Sequence, residues 1–132
     1  MNIILLSGGS GKRLWPLSND IRSKQFIKLF KDDNGNYESM VQRVYRQITT
    51  VNPMVKVTVA TSKNQVSVIK SQLGEKINIC VEPSRRDTFP AILLAAAYIH
   101  YELGIGVEEC IAVCPVDPYV DNDYYKCVGE LE

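Results

Sequence analysis

Three stretches of this 132-residue sequence carry residue types suited to holding a phosphorylated ligand. The first is Leu6-Ser7-Gly8-Gly9-Ser10-Gly11-Lys12-Arg13, directly after the apolar run Met1 to Leu5. Glycines let backbone N–H groups turn inward and approach an anion closely. Lys12 and Arg13 add charge and directed donors. The spacing matches neither common phosphate loop. GxxxxGK[ST] would need a glycine at Leu6 and a Ser or Thr at Arg13, and GxGxxG fails at Leu14. The same residues would also serve a tight strand-to-helix turn, so the loop alone leaves both readings open.

The second stretch runs from Val81 to Thr88. A strand ends in the carboxylate of Glu82, turns at Pro83 and enters a helix at Thr88, with Arg86 beside the helix N-terminus. Such a terminus favours anions, though a well-capped turn reads the same way. The third is Pro115-Val116-Asp117-Pro118. One carboxylate held between two prolines suits Mg²⁺, which often binds one or two protein carboxylates plus substrate phosphates. A turn Asp capping its own backbone is the competing reading. Lys24, in Arg22-Ser23-Lys24-Gln25-Phe26, is a further cation able either to reach such a site or to stay on the surface.

The elements that must position these groups follow from periodicity. Asn2–Ser7, Val55–Thr61, Ile77–Glu82 and Cys110–Cys114 read as short buried strands rich in Ile, Val and Leu. Between them lie helix patterns. Glu38–Ile48 carries an apolar stripe of Met40, Val41, Val44, Tyr45 and Ile48. A second helix has Ser62 and Gln65 at capping-box spacing and ends at Gly74. A third runs from a Thr88 cap to Leu103, with Pro90 in its first turn and Gly104 as its stop. Its centre, Ala91–Ala97, is nearly all apolar and is expected between layers. Asp121 caps a last helix through Tyr124, Tyr125 and Val128, and Lys31–Tyr37 reads as a turn-rich loop. Strand and helix in alternation predict an α/β fold: three layers around a Rossmann-like, mostly parallel sheet. Ligands bind such sheets at the carboxyl ends of the strands, where all three stretches would gather.

Composition narrows the partners. Fifteen basic and fifteen acidic residues give zero net charge, and hydrophobic residues make up 45%. This argues for a packed domain and against a nucleic-acid binder. Charge is uneven: residues 1–31 hold Lys12, Arg13, Arg22, Lys24, Lys28 and Lys31 against Asp20 alone. That zone suggests a small anionic ligand. No apolar run approaches the roughly 20 residues of a membrane span. Met1 leads into a strand without a basic n-region or cleavage site, so the expected location is cytoplasmic. Cys80, Cys110, Cys114 and Cys127 form no CxxC pair; the first three lie inside apolar runs, where buried thiols are expected rather than zinc ligands.

Four segments in order resemble the nucleotidyltransferases that make nucleotide sugars, in particular the bacterial mannose-1-phosphate guanylyltransferase (GDP-mannose pyrophosphorylase) group. Gly8–Ser18 reads GGSGKRLWPLS against a GG-x-G-x-R-L-W-P-L-S signature. Ser23–Phe26 stands where that group has PKQF, Glu82–Ile92 (EPSRRDTFPAI) where it has EPxxRNTAPAI, and Pro115–Pro118 (PVDP) where it has PADH. Four departures stand out: Ser23 for proline, expected to loosen the loop holding Lys24; Asp87 for asparagine; Phe89 for alanine, expected to change packing; and Pro118 for histidine.

The resemblance implies GMP transfer from GTP to mannose 1-phosphate, giving GDP-mannose and pyrophosphate with Mg²⁺, in polysaccharide precursor synthesis. It implies that Gly8, Gly9, Ser10, Gly11 and Lys12 cradle the triphosphate. Arg13, Lys24 and Asp117 would be catalytic, with Asp117 the metal ligand. Leu6 and Ser7 would meet the base and ribose, and Glu82, Pro83, Arg86, Asp87 and Thr88 would line the base side. It also implies that residues 1–132 are the N-terminal, nucleotide-binding part of a longer catalytic domain. The sheet would be incomplete at its C-terminus, activity alone doubtful, and a homo-oligomer open to the full-length form. Rival readings keep the fold with another base or sugar, or make the chain a silent nucleotide-binding homologue.

Overall fold

The computed structural model describes residues 1–8, 18, 23–84 and 86–132. In chain order the elements are β1 (Asn2–Leu6), β2 (Lys28–Lys31), β3 (Tyr37–Ser39), α1 (Met40–Val51), β4 (Lys56–Ser62), α2 (Val66–Leu73), β5 (Asn78–Glu82), α3 (Thr88–Tyr101), β6 (Ile111–Pro115) and α4 (Asn122–Gly129). Single 3-10 turns at Lys24–Phe26 and Lys63–Gln65 precede β2 and α2.

Side-chain alternation along the central strands decides the layers. Ile3 and Leu5 of β1 point with Val57 and Val59 of β4 into a cluster with Val41, Val44 and Ile48 of α1, Ile69 of α2 and Tyr125 of α4. Ile4, Ala60 and Cys80 point the other way, against Ala95 and Ile99 of α3. Fully burying one such Ile, Leu or Val side chain contributes about 1.5–3 kcal/mol. The sheet runs β5-β4-β1-β6 with every pairing parallel. This is the expected α/β, three-layer arrangement with helices on both faces. Leu6 lies beside Ala60 and Pro115, and Ser62 beside Glu82, so four carboxyl ends share one edge.

Several local expectations are corrected. The first helix starts at Met40 instead of Glu38, because Tyr37–Ser39 pairs antiparallel with β2. Ser39 then caps α1 in a reciprocal capping box with Gln42. Lys31–Tyr37 is the tip of that hairpin: Asp32 Oδ1 accepts from the N–H groups of Asn34 and Asn36 at 2.9 and 2.8 Å, and Gly35 supplies φ 82°. Arg46 forks onto Glu38 with bonds of 3.0 and 2.8 Å and ties the hairpin to α1. Ser62 forms no side-chain cap, and Gln65 spends its amide elsewhere. The cap of α3 is Asp87, not Thr88.

Helix α3 is also less enclosed than its apolar centre implied. Ala91, Ala95 and Ile99 are buried, but Leu93 is 59% and Phe89 73% exposed. The stripe that meets the sheet centres on Ala95 and Ile99, and the opposite side of the helix stays open because a single helix covers that face among the described residues. Gly74, at φ 97°, closes α2, and Asp121 caps α4 by accepting from Asp123 and Tyr124. All four cysteines are free thiols; burial pushes those of Cys80 and Cys114 up, which keeps them protonated and inert. Among the described residues no helix is long and apolar enough to cross a membrane.

Candidate active site

Two groups of side chains occupy the carboxyl edge of the sheet. The first lines a cleft of about 400 Å³ formed by Leu6, Gly8, Ala60, Glu82, Asp87, Thr88 and Ala91. Its floor is the ends of β1, β4 and β5; its wall is the start of α3. Backbone approach is tight here. A Cβ built on Gly8 would lie 3.1 Å from Glu82 Oε1, so glycine lets the loop leave β1 across the buried Glu82 carboxylate. Glu82 and Asp87 give the cleft two carboxylates. It therefore suits a flat group offering N–H donors better than it suits a phosphate.

Asp87 stands at φ 72° and ψ −173°, the only non-glycine residue at positive φ among the described residues. That region is nearly glycine-only and costs on the order of 1–3 kcal/mol. Asp87 Oδ1 accepts from the Thr88 N–H at 3.1 Å, partly offsetting the strain and occupying one donor of the helix terminus. Pro83 and Arg86 are exposed and do not line the cleft; Arg86 Nε donates to Ser84 Oγ at 3.3 Å.

The second group is a pair. Lys24 Nζ donates to Asp117 Oδ2 at 2.7 Å, joining the turn before β2 to the turn after β6. Both side chains are partly exposed, at 36% and 45%. An ion pair so exposed is worth about 0–1 kcal/mol, so either partner exchanges readily onto a ligand. No cluster of three or more metal-ligating side chains exists among the described residues. A cation at Asp117 would accordingly take most of its oxygen ligands from a substrate or water, a donor set that fits Mg²⁺.

Ser7 is fully buried, and its carbonyl accepts from Gln25 Nε2 at 2.7 Å. The structure thus brings together Gly8, Glu82, Asp87 and Thr88 with Leu6, and separately Lys24 with Asp117. Gly9, Ser10, Gly11, Lys12 and Arg13 lie outside the described residues. Sequence reasoning missed Gln25, Gln65 and Thr61, which hold the Lys24 turn. Their only signal is a run of uncharged polar residues inside apolar neighbourhoods. The expected loosening at Ser23 is also corrected: Ser23 is fully buried and its Oγ accepts from Gln65 Nε2 at 2.8 Å.

Known proteins share much of this chain. A putative mannose-1-phosphate guanylyltransferase of Vibrio cholerae is 34% identical over 96 residues, covering 70% of this chain and 20% of that protein. The alginate biosynthesis protein AlgA of Pseudomonas putida is 34% identical over 123 residues, 90% of this chain and 24% of that protein. A crystal structure described as mannose-1-phosphate geranyltransferase from Thermus thermophilus superposes with TM-score 0.75 and 28% identity, over 98% of this chain and 36% of that one. The chain spans about a fifth to a quarter of the length of these two sequence relatives. The nucleotidyl transferase family profile matches residues 2–131. The chain belongs to the nucleotidyl transferase family.

Proposed function

We propose that residues 1–132 are the nucleotide-binding part of an enzyme that transfers GMP from GTP to mannose 1-phosphate, releasing pyrophosphate. One observation carries the reading: the cationic Lys24 and the carboxylate of Asp117 meet at 2.7 Å on the same sheet edge as a cleft lined by Glu82 and Asp87. Charge-handling groups and a base-sized cleft side by side suit a nucleoside triphosphate. Similarity to mannose-1-phosphate guanylyltransferases supports the guanine and mannose assignment.

In this reading an oxygen of the sugar phosphate attacks the α-phosphorus of GTP in line. The bond from that phosphorus to the pyrophosphate oxygen breaks. The attacking phosphate is already ionised, so no general base is needed, and the barrier is that of bringing anions together. Gly8, Gly9, Ser10, Gly11 and Lys12 would cradle the triphosphate. Arg13 would bridge the α-phosphate and the leaving pyrophosphate. Lys24, released from Asp117, would neutralise the α-phosphate. Asp117 would hold Mg²⁺, which when bound supplies further neutralisation of phosphate charge. Leu6 and Ser7 would border the base and ribose, with Thr88 on the base side. Glu82 or Asp87 would accept the two N–H donors of guanine's Watson–Crick edge. The sugar pocket and a second metal-binding carboxylate would lie outside this segment.

The test uses the full-length protein that carries residues 1–132. Pyrophosphate release is measured with Mg²⁺, mannose 1-phosphate and each of GTP, ATP, UTP and CTP. Release with GTP well above the others is expected. Preference for another triphosphate would overturn the guanylyl assignment, and release with none would overturn the enzyme reading.

A further inference from the structure

Lys24 sits between two buried anchors. On one side Gln25, 1% exposed, donates to the Ser7 carbonyl at the end of β1. On the other, Ser23 Oγ accepts from Gln65 Nε2 at 2.8 Å, and Gln65 Oε1 accepts from Thr61 Oγ1 at 2.8 Å. Thr61, Gln65 and Ser23 are all fully buried. Thr61 belongs to β4, Gln65 to the 3-10 turn after it, and Ser23 immediately precedes the turn carrying Lys24. A buried amide that uses both its ends loses a partner at the full desolvation cost, so the three side chains favour one arrangement.

The backbone at Ser23 shows what this relay holds. Its φ of −67° is the value a proline ring would impose, and its ψ of 156° is extended backbone that proline also adopts. Here a side-chain hydrogen bond from another element fixes what a ring could fix covalently. We infer that Gln65 and Ser23 are positioning residues for Lys24, setting the backbone from which its amine reaches the Asp117 side of the edge. The inference rests on the proposed nucleotidyl transfer, in which Lys24 meets the α-phosphate. A lysine on a flexible stem delivers its charge reproducibly only if its own backbone is fixed, and a misplacement of about 1 Å can cost on the order of 10²-fold in rate.

The test is made on the full-length protein by steady-state pyrophosphate release, with melting temperatures recorded alongside. Gln65→Leu is expected to lower kcat about tenfold with little change in KM for GTP, because the cleft is untouched. Two further readouts separate positioning from general stability. In a Lys24→Ala background Gln65→Leu should cost nothing more, since the group it positions is gone. Adding Ser23→Pro to Gln65→Leu should restore most of the lost kcat, since the ring sets the same φ without a partner. If Gln65→Leu does not fold, Ser23→Ala breaks the same bond with a smaller change and is measured with and without Lys24→Ala in the same way. Losses that multiply in the Lys24→Ala background would overturn the inference, as would failure of Ser23→Pro to recover kcat in a stably folded double variant. Those outcomes in an active enzyme sink the positioning role alone. A wild-type protein that turns over no triphosphate sinks the functional reading and this inference with it.

Discussion

The two halves of the candidate site are held by different means. The Lys24 turn is pinned from beneath by buried side-chain hydrogen bonds through Gln25 and Gln65. The Asp87 turn is exposed and stands in strained backbone, with one short-range bond to Thr88 as compensation. The difference follows from what each half must present. A point charge on a long stem is useful only when its base is immobile, so polar groups are buried to fix it. A cleft takes its shape from strand ends that are already rigid, and only its rim needs an unusual backbone torsion. Gly8 belongs with the cleft, where shape comes from leaving out a side chain.

The largest effect expected of this contrast is at Lys24. Lys24→Ala in the full-length protein should lower turnover by about 10²–10³-fold, as loss of a preorganised donor does, while the melting temperature hardly moves because the pair with Asp117 is exposed. Activity within a few fold of wild type would remove Lys24 from the chemistry. Next comes the cleft. Gly8→Val drives a branched side chain toward Glu82 Oε1, and overpacking of this kind costs about 1–3 kcal/mol, so KM for GTP should rise about tenfold. An unchanged KM would mean that the nucleotide does not use this cleft.

A third test compares the halves directly, by placing glycine at each turn. Asp87→Gly relieves positive φ and should stabilise the fold by about 1 kcal/mol in chemical denaturation despite the lost cap. Ser23→Gly removes a buried hydrogen-bonding hydroxyl at an unstrained torsion and should destabilise by about 1–3 kcal/mol. Equal signs at the two positions would show that the halves are not built differently.

The smallest effect lies outside the site and serves as a control. The Asn36 amide, with help from Asn34, holds the Asp32 carboxyl below its ordinary range. The folded-state value is the lower one, so the stabilisation is complete above about pH 4 and is lost as pH falls through the folded value. Asp32→Ala should therefore lower the melting temperature slightly at neutral pH and not at all in strong acid, with turnover unaltered. A turnover loss would tie the hairpin to the site.

Much of this arrangement is legible in the sequence, and its omissions have physical causes. The four parallel strands follow from short Ile/Val/Leu runs, and the site-facing turns from the polar residues after them. Boundaries failed where a side chain had a choice. Ser62 and Gln65 have capping-box spacing, yet Gln65 bonds to Ser23, 42 residues away, because burial makes a long-range partner worth more than a local cap. Thr88 is a good cap residue, yet Asp87 takes the role in a torsion no propensity would assign it. The apolar centre of α3 predicted enclosure, but hydrophobicity alone does not say how many layers are present to cover it.

By itself the sequence determined the alternation of strand and helix, the order of the glycine loop, Lys24, Glu82–Thr88 and Asp117, and so the family. These depend on local periodicity and residue type, which any stretch of chain carries within it. Only the tertiary structure decided which of those groups meet. The sheet order β5-β4-β1-β6 is not the chain order. It sets Glu82 under Gly8, Gln65 against Ser23, and Lys24 against Asp117, 93 residues apart. Such pairings arise from strand register and layer packing, quantities to which every part of the fold contributes and no single segment records.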